Sequence, residues 1–358
     1  MFQAGSSPIP VNIITGALGA GKTTAIARLL ASKPADEFWL VVLNEFTDTG
    51  IDAVTLAAAA RGAYDVRMIP GGCLCCTGEE DFRRQLSGVL ALPDSQQPAR
   101  ILIEPSGIGH PASIVEELRA FERSGALRLL STIVLIDGQR EEWLQFDAIA
   151  QTQIDAADVL VLSKAELVTQ PRRQEFLEWA RRLYPLRGLV TCSERGVLPE
   201  VALAPPPAVF SFEPGKWDQS ILSNKSRLQV HQHDASVVVT TRELQLGNAL
   251  VRASTHAVLG RSACGWTAPG TVLFDLPALR QLLETPDCWQ GVERFKAVLR
   301  TGVERWHLLQ RWQQQSAVTE CNWSQDSRIE VQLVEGMDTD WAEWDRRWQM
   351  LSEPSPVG

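Results

Sequence analysis

The sequence lacks the features that mark membrane, secreted and nucleic-acid-binding proteins. No apolar run approaches the roughly 20 residues that cross a membrane. Residues 1–10 have neither the charged start nor the apolar run of a signal peptide. Acidic residues outnumber basic ones, with 43 Asp and Glu against 34 Lys and Arg and a net charge of −9. Because nucleic-acid phosphates need clustered cations, we expect no nucleic-acid partner and no membrane association.

Cysteine is scarce outside one short segment. Of the seven cysteines in 358 residues, three fall within residues 73–76 and four are scattered. This is not the spacing of a disulfide framework, so we expect a reducing compartment and a cytoplasmic protein. A chain of this length can form two domains with a core in each.

A glycine-rich stretch near the start carries the clearest chemistry. It follows the apolar run Val11–Ile14 and has the spacing G-x-x-x-x-G-K-[ST] of a phosphate-binding loop. Glycines there allow positive φ, so that backbone N–H groups can surround a polyphosphate, while the lysine reaches the β- and γ-phosphates and the threonine hydroxyl binds Mg²⁺. A helical pattern follows, and its N-terminus favours anions. The predicted nucleotide-binding residues of the loop are Gly16, Gly19, Ala20, Gly21, Lys22, Thr23 and Thr24.

Short apolar runs alternate with helical patterns through the first 200 residues, which predicts a mostly parallel, doubly wound α/β sheet of the P-loop NTPase class. Helical stripes lie at 82–90 and 176–183. Ligands of such sheets bind at the carboxyl ends of the strands. The predicted strands are Val11–Ile14, Phe38–Leu43, Val66–Ile69, Ile101–Ile103, Thr132–Ile136, Val159–Leu162 and Leu189–Thr191.

The composition changes at residues 199–208, where three consecutive prolines predict a semi-rigid linker. We therefore expect a P-loop domain over residues 1–198 and a smaller α+β domain over residues 209–358. In the second domain the patterns predict strands at 209–212, 236–241 and 328–334, and helices at 277–283, at 292–299 and near the C-terminus.

Tryptophan is concentrated in this second domain. Nine of the twelve tryptophans follow the linker, and Trp341, Trp344 and Trp348 share one face of the last predicted helix. Large aromatic side chains are usually buried, so a tryptophan-rich core is expected. An exposed aromatic face that docks a client protein is the alternative.

The cysteine segment Cys73-Leu74-Cys75-Cys76 follows a Gly-Gly pair and can bring three thiolates onto one soft metal ion. A closed structural zinc site needs a fourth ligand. Three ligands leave an exchangeable position that suits metal transfer. The alternatives are buried hydrophobic cysteines and a redox pair formed by Cys75 and Cys76.

Acidic residues follow several of the predicted strands. Glu104 opens the segment Glu104-Pro105-Ser106-Gly107 and can hold Mg²⁺ through its water shell, and the N–H of Gly107 can contact the γ-phosphate. Asp137 competes for the Mg²⁺ role, and capping a helix or turn is the ordinary alternative for both acids. Glu45 occupies the position of a first switch loop, where it can position water, sense the metal or be solvated.

The segment after the strand 159–162 occupies the position of the guanine-binding motif N-K-x-D. Here it reads Ser163-Lys164-Ala165-Glu166. Glu166 can accept the paired hydrogen bonds of guanine, and the stem of Lys164 can stack on the ring, but Ser163 cannot replace every hydrogen bond of an asparagine amide. Guanine selectivity is predicted on this basis.

Together these motifs resemble those of the CobW-like family of P-loop GTPases, which handle metals. The matching segments are Gly16–Thr24, Asn44-Glu45-Phe46 with Gly50-Ile51-Asp52, the cysteine cluster, and Glu104–Gly107 followed by Pro111, with a fainter likeness at Arg294–Arg300.

The resemblance implies a metallochaperone that hydrolyses GTP to deliver a metal to a client protein. It assigns phosphate and Mg²⁺ binding to Lys22, Thr23 and Glu104. It assigns the cargo metal, zinc or else cobalt, to Cys73, Cys75 and Cys76.

The sequence departs from this family at Thr47 and Asp48, where a glycine and a glutamate are usual, and at Ser163 and Glu166 in the base motif. It also lacks a long histidine run, having only a His-Gln-His triplet at 231–233. Two other classes of protein stay open. One is an ATP- or GTP-dependent P-loop enzyme, and the other is a binding module whose shape depends on nucleotide. In both, the cysteines are structural. The sequence does not identify the client protein, and it is compatible with a homo-oligomer.

Overall fold

The computed structural model describes thirteen stretches of the chain that include both domains. No helix in these stretches is long and apolar enough to cross a membrane. The described residues are 7–44, 51–59, 63–69, 79–107, 111–140, 148–183, 187–205, 238–246, 249–258, 261–312, 315–321, 326–334 and 336–352.

The first domain is built on a seven-stranded parallel sheet with strand order β3-β2-β4-β1-β5-β6-β7. Each of the seven predicted apolar runs forms one of these strands. They are β1 (Ile9–Gly16), β2 (Trp39–Asn44), β3 (Tyr64–Ile69), β4 (Arg100–Glu104), β5 (Leu127–Asp137), β6 (Val159–Ser163) and β7 (Leu189–Cys192).

Helices cover both faces of this sheet. Because successive side chains of a strand point to opposite sides, each strand packs against helices on both faces. Ile14 packs with Ile26 of the first helix, whereas its neighbour Ile13 packs with Phe82 and Leu118 on the other face. The predicted doubly wound α/β fold is confirmed. The helices are α1 (Lys22–Ser32), α2 (Ile51–Ala59), α3 (Glu79–Leu90), α4 (Pro111–Arg123), α5 (Ala148–Asp155) and α6 (Gln170–Arg181).

The second domain contains a separate antiparallel sheet of seven strands, in the order β13-β12-β11-β14-β10-β9-β8. Two helices, α7 (Leu276–Glu284) and α8 (Trp341–Ser352), accompany it. The strands are β8 (Val238–Leu246), β9 (Ala249–Val258), β10 (Arg261–Pro269), β11 (Val292–Arg300), β12 (Trp306–Trp312), β13 (Gln315–Cys321) and β14 (Asp326–Leu333).

Aromatic side chains form the centre of the core between this sheet and its helices. Trp348 of α8 is fully buried and lies 5.8 Å from Trp266, 5.6 Å from Trp344 and 6.0 Å from Phe295, between ring centroids. Trp289 joins the same cluster through Trp344. For these residues the prediction of a tryptophan-rich core is confirmed, and burial of their large apolar surfaces stabilises the domain.

The helix predicted at 292–299 is wrong, because these residues form strand β11. Phe295, Ala297 and Leu299 alternate into the tryptophan core. Val298 points to the other face, where it is buried against Ile51 of the first domain. Burial on both faces places apolar residues at 292, 295, 298 and 299, which imitates the spacing of a helix.

The segment predicted as a linker begins within the core of the first domain. Leu198, Ala202 and Leu203 are buried against the first sheet, and the carbonyl of Ala204 accepts a hydrogen bond from the hydroxyl of Ser131. The predicted strand at 209–212 and the triplet at 231–233 lie outside the described residues. The domain boundaries stay a prediction.

Candidate functional site

The phosphate-binding loop connects the end of β1 to the start of α1, as its motif predicts. The backbone turns there with positive φ at Gly16 (140°), Gly19 (77°) and Gly21 (91°). Residues other than glycine rarely adopt such φ values. The ammonium of Lys22 donates to the carbonyls of Gly16 (3.0 Å) and Ala17 (3.2 Å). The lysine therefore lies over the loop, at the N-terminus of a helix where anions are favoured.

Thr23 and Glu104 meet beside this loop. The Thr23 hydroxyl donates to Oε1 of Glu104 over 3.0 Å, and both side chains are buried. The second oxygen, Oε2, is buried and accepts no hydrogen bond from the described residues. A buried carboxylate oxygen without a donor is costly, and an oxygen pair of this kind suits Mg²⁺. The residues present fit the predicted ion.

The turn after β4 lies against the phosphate loop. A Cβ added to Gly107 would come within 2.7 Å of the backbone nitrogen of Leu18, so only glycine allows this approach. Asn44, at the end of β2, accepts a hydrogen bond from the N–H of Ser106 (3.4 Å) and donates to the carbonyl of Ile69 (3.2 Å). The turn is therefore held between the loop and the ends of two strands.

Asp137, the competing Mg²⁺ candidate, is paired elsewhere. Its carboxylate lies 2.8 Å from the Lys164 ammonium, whereas the Thr23 hydroxyl contacts Glu104. The geometry therefore favours Glu104 as the acid of the ion site. Lys164 itself has an unusual φ of 53°, which directs the backbone into the predicted base-binding segment.

The predicted base-binding residues lie on one side of the loop. The Glu166 carboxylate accepts a hydrogen bond from the N–H of Arg195 (2.9 Å), and a Cβ on the next residue, Gly196, would contact Thr24 at 2.9 Å. The Ser163 hydroxyl donates to the carbonyl of Ile136. Glu166 is thus brought close to the start of α1, while Ser163 is used within the sheet.

The protonation of the central pair is shifted by its surroundings. Burial lowers the pKa of Lys22 to about 8, although Glu104 opposes the shift. Burial also raises the pKa of Glu104 to about 7, and the carboxylate of Asp52 adds to that rise while Lys22 opposes it. Two acids and a lysine buried this close together are typical of a site that binds a charged ligand.

The phosphate loop and Glu104 line one pocket, and the second domain adds residues to it. The sequence analysis did not assign these residues to the site. Arg294, Lys296 and Glu330 line it beside Lys22. Arg140 also joins the two domains, because its guanidinium donates to the carbonyl of Leu18 (3.0 Å) and to Glu293 (3.4 Å). The only sequence signal for Arg294 and Lys296 was the faint family likeness at 294–300, and Glu330 had none.

Five cationic side chains line the pocket against three acidic ones, which favours an anionic ligand. The cations are Lys22, Lys164, Arg294, Lys296 and Arg311, and the acids are Asp52, Glu104 and Glu330.

Four predicted site residues lie outside the described part of the chain. These are Glu45 and the thiols Cys73, Cys75 and Cys76. Among the residues that the structure does describe, no group of three or more His, Cys, Asp or Glu side chains is arranged to hold a metal ion. The cysteine site stays a prediction from sequence.

A phosphate loop that opens a helix, with a threonine of that helix paired to a glutamate at the carboxyl end of a parallel strand, defines a P-loop nucleotide-binding protein. Residues 10–190, half of the chain, match the model of the CobW/HypB/UreG nucleotide-binding domain. The chain therefore belongs to this family, and the resemblance noted in its sequence is confirmed.

One curated relative extends the likeness beyond the first domain. The chain is 30% identical over 332 residues to the zinc chaperone YeiR of Escherichia coli K12. That alignment covers 92% of this chain and 94% of that protein. It is 27% identical over 192 residues to the zinc chaperone CobW of a Sinorhizobium species, covering 46% of this chain and 53% of that protein. The chain thus spans about half of the latter relative.

Among solved structures, the Zn(II)-bound YjiA GTPase of E. coli aligns with a TM-score of 0.41 at 18% identity, covering 98% of this chain and all of that one. HypB of Helicobacter pylori, solved in complex with nickel, aligns with a TM-score of 0.37 at 20% identity over 53% of this chain and 80% of that one.

Proposed function

We propose that the protein is a GTP-hydrolysing metallochaperone that binds Zn²⁺ at Cys73, Cys75 and Cys76 and delivers it to a client metalloprotein. Co²⁺ is the second candidate cargo. The likeness to a relative named as a zinc chaperone along 92% of the chain supports this role. The proposal places the protein in the cytoplasm.

The observation that carries the proposal is the buried contact between Thr23 and Glu104 beside the phosphate loop. A hydroxyl and a carboxylate at this position are what a P-loop NTPase needs to hold Mg²⁺. Bound there, Mg²⁺ would neutralise charge on the β- and γ-phosphates. In this proposal Lys22 holds the same phosphates, and the contacts of its ammonium with two carbonyls of the loop support that role.

The proposed hydrolysis transfers the γ-phosphoryl group of GTP to water, which yields GDP and phosphate. Lys22 stabilises the charge on the leaving phosphates, and the N–H of Gly107 contacts the γ-phosphate. Glu45 is proposed to position the attacking water. The support for Gly107 is the close approach of its turn to Leu18 in the phosphate loop.

Guanine recognition is assigned to Glu166 and Lys164. The Glu166 carboxylate accepts from the backbone N–H of Arg195, and the next residue, Gly196, lies against Thr24 at the start of α1, which supports a base site on this side of the loop. A carboxylate accepts from both N–H groups on the guanine edge, whereas adenine presents no matching pair. The site is therefore expected to prefer GTP to ATP.

Metal and nucleotide binding are proposed to be coupled. Asn44 contacts Ile69, the last described residue before the cysteine segment, and also Ser106 in the turn beside the phosphate loop. A nucleotide that moves this turn therefore changes the contacts of a side chain that also holds the strand leading to the thiols. A coupling of about 1–3 kcal/mol would change metal affinity roughly 5- to 150-fold.

The proposal is tested by measuring GTP and ATP turnover with titrated Zn²⁺ and Co²⁺. We expect GTP to be preferred, turnover to be lost in Lys22→Ala, and the metal effect to be lost in Cys75→Ala. Cys288→Ala is the matched control, because Cys288 is a half-buried free thiol of the second domain.

Three outcomes would contradict the proposal. Preference for ATP would indicate another P-loop enzyme. No turnover in the wild-type chain would indicate a binding module whose shape depends on nucleotide. Identical GTP turnover with and without either metal would leave the thiols of residues 73–76 as structural or redox groups.

A further inference from the structure

Strand β11 of the second domain presents two cations to the nucleotide pocket. Its alternation points Phe295 and Ala297 into the tryptophan core, so Arg294 and Lys296 lie on the opposite face, where they line the pocket. Their side chains are only 14% and 12% exposed. Cations buried to this extent require anionic partners.

The anion that holds them comes from the first domain. The Arg294 guanidinium donates to both carboxylate oxygens of Asp52, at 3.2 Å each, and the Lys296 ammonium contacts the same carboxylate. Burial alone would raise the pKa of Asp52, but Lys296 and Arg294 together hold it well below its usual range. Glu330 lies 3.8 Å from Arg294. Asp52 is thus the main partner of two cations.

These cations lie within electrostatic reach of Lys22 in the phosphate-binding loop and of Glu104. Burial lowers the pKa of Lys22, and Arg294 and Lys296 both add to that shift. Lys296 also acts on Glu104, where its charge lowers the pKa of a carboxyl that burial raises. The two cations therefore share a pocket with Lys22, Thr23 and Glu104, the residues proposed to hold the terminal phosphates and Mg²⁺.

We propose that Arg294 and Lys296 bind the terminal phosphate of the nucleotide, with Asp52 competing for them. The second domain thereby completes the nucleotide site, and the two cations distinguish a triphosphate from a diphosphate. This inference rests on the proposed function, in which the pocket binds GTP. Cations supplied to the terminal phosphate from outside the phosphate loop stabilise the charge that develops in phosphoryl transfer.

A purely structural reading of the cluster makes a different prediction. Suppose that Asp52, Arg294 and Lys296 only hold the domains together. Removing the carboxylate or removing a cation would then break the same ion pair between the domains. Asp52→Asn and Arg294→Ala would then weaken GTP and GDP binding alike. If the cations bind phosphate, the two substitutions have opposite effects, because Asp52 competes with the nucleotide.

The experiment measures the Kd of GTP and of GDP, with Mg²⁺, for the full chain. Loss of one charge-assisted hydrogen bond predicts that Arg294→Ala weakens GTP binding about tenfold or more and GDP binding much less. Asp52→Asn is expected to tighten GTP binding. Arg300→Ala is the matched control, since Arg300 lies on the same strand but donates to the carbonyls of Gly270 and Gly302.

Thermal unfolding is recorded for each variant. If Arg294→Ala does not fold, Lys296→Gln, which keeps a polar group at its position, gives the same comparison of GTP with GDP. Equal losses for GTP and GDP in the cation variant and in Asp52→Asn would overturn the inference, as would a GTP affinity within about twofold of wild type in the cation variant.

The result also separates this inference from the proposed function. A wild-type chain that binds no GTP overturns both. A wild-type chain that binds GTP in a manner dependent on Lys22, but whose affinity is insensitive to Arg294 and Lys296, overturns only the role of the second domain.

Discussion

Asn44→Ala is predicted to uncouple metal binding from nucleotide binding. Asn44 is buried at the end of β2, and two hydrogen bonds of its side chain reach the carbonyl of Ile69 and the N–H of Ser106. Ile69 precedes the cysteine segment, and Ser106 belongs to the turn against the phosphate loop. Among the described contacts, this side chain joins the two parts that the proposed coupling has to connect.

The size of the effect follows from the two hydrogen bonds. Each is worth about 1 kcal/mol net, so Asn44→Ala is expected to destabilise the chain by about 2 kcal/mol and to lower its Tm by roughly 4–8 °C. This loss leaves most of the chain folded. The factor by which Zn²⁺ changes GTP affinity, about 5 to 150 in the wild-type chain, is expected to fall to about one.

Asn12→Ala is the matched control. Asn12 is a fully buried asparagine of β1, a parallel strand of the same sheet that is separated from β2 by β4. It donates to the carbonyls of Ser131 (3.0 Å) and Leu203 (3.4 Å) and also accepts from the Arg100 guanidinium. It does not line the nucleotide pocket. We expect Asn12→Ala to lower the Tm by a similar amount and to leave the coupling between Zn²⁺ and GTP binding unchanged.

The assay is a titration of labelled GTP with and without Zn²⁺, run on both variants beside a thermal melt. If Asn44→Ala retains the metal-dependent change in GTP affinity, the coupling does not run through this side chain. If Asn12→Ala loses it equally, the effect reports stability only.

Three further predictions address separate parts of the molecule. Glu166→Ala should weaken GTP binding about tenfold or more relative to ATP, measured by competition, while the exposed Glu175→Ala should not. Because burial, aided by Asp52, raises the pKa of Glu104 to about 7, and Mg²⁺ needs the ionised carboxylate, Mg²⁺-dependent GTP affinity should rise from about pH 6 to about pH 7, below the range in which Lys22, with its pKa lowered to about 8 by burial, loses its charge; a rise that persists in Glu104→Gln would refute this origin. Trp348→Ala should destabilise the second domain by about 3–5 kcal/mol in urea unfolding, whereas Met350→Ala, on the exposed side of the same helix, should have little effect.

Sequence alone predicted the first domain well because its strands are buried on both faces. Such strands are short continuous apolar runs, and the helices between them carry clear stripes. The phosphate loop and the candidate acid Glu104 could be proposed from sequence because their chemistry depends on a fixed local order of residues. In the second domain the strands at 249–258, 261–269, 306–312 and 315–321 went unpredicted, because half-buried antiparallel strands carry polar residues on one face.

The residues that the sequence analysis did not assign to the site depend on tertiary structure. Asp52 and Arg294 are 242 positions apart in the chain, and their pairing arises only when β11 packs over the start of α2. The same packing buries Val298 against Ile51 and produced the wrong helix prediction at 292–299. One interdomain contact therefore accounts for both failures.

The most direct test of the central claim is the Zn²⁺ affinity of the wild-type chain with GTP bound and with GDP bound. The account predicts that the two affinities differ by a factor of about 5 to 150, and that Zn²⁺ changes the ratio of GTP to GDP affinity by the same factor, as linkage requires. It also predicts that the difference disappears in Cys75→Ala. Equal Zn²⁺ affinity in the two nucleotide states would contradict the account and leave the chain as a P-loop protein whose cysteines serve another purpose.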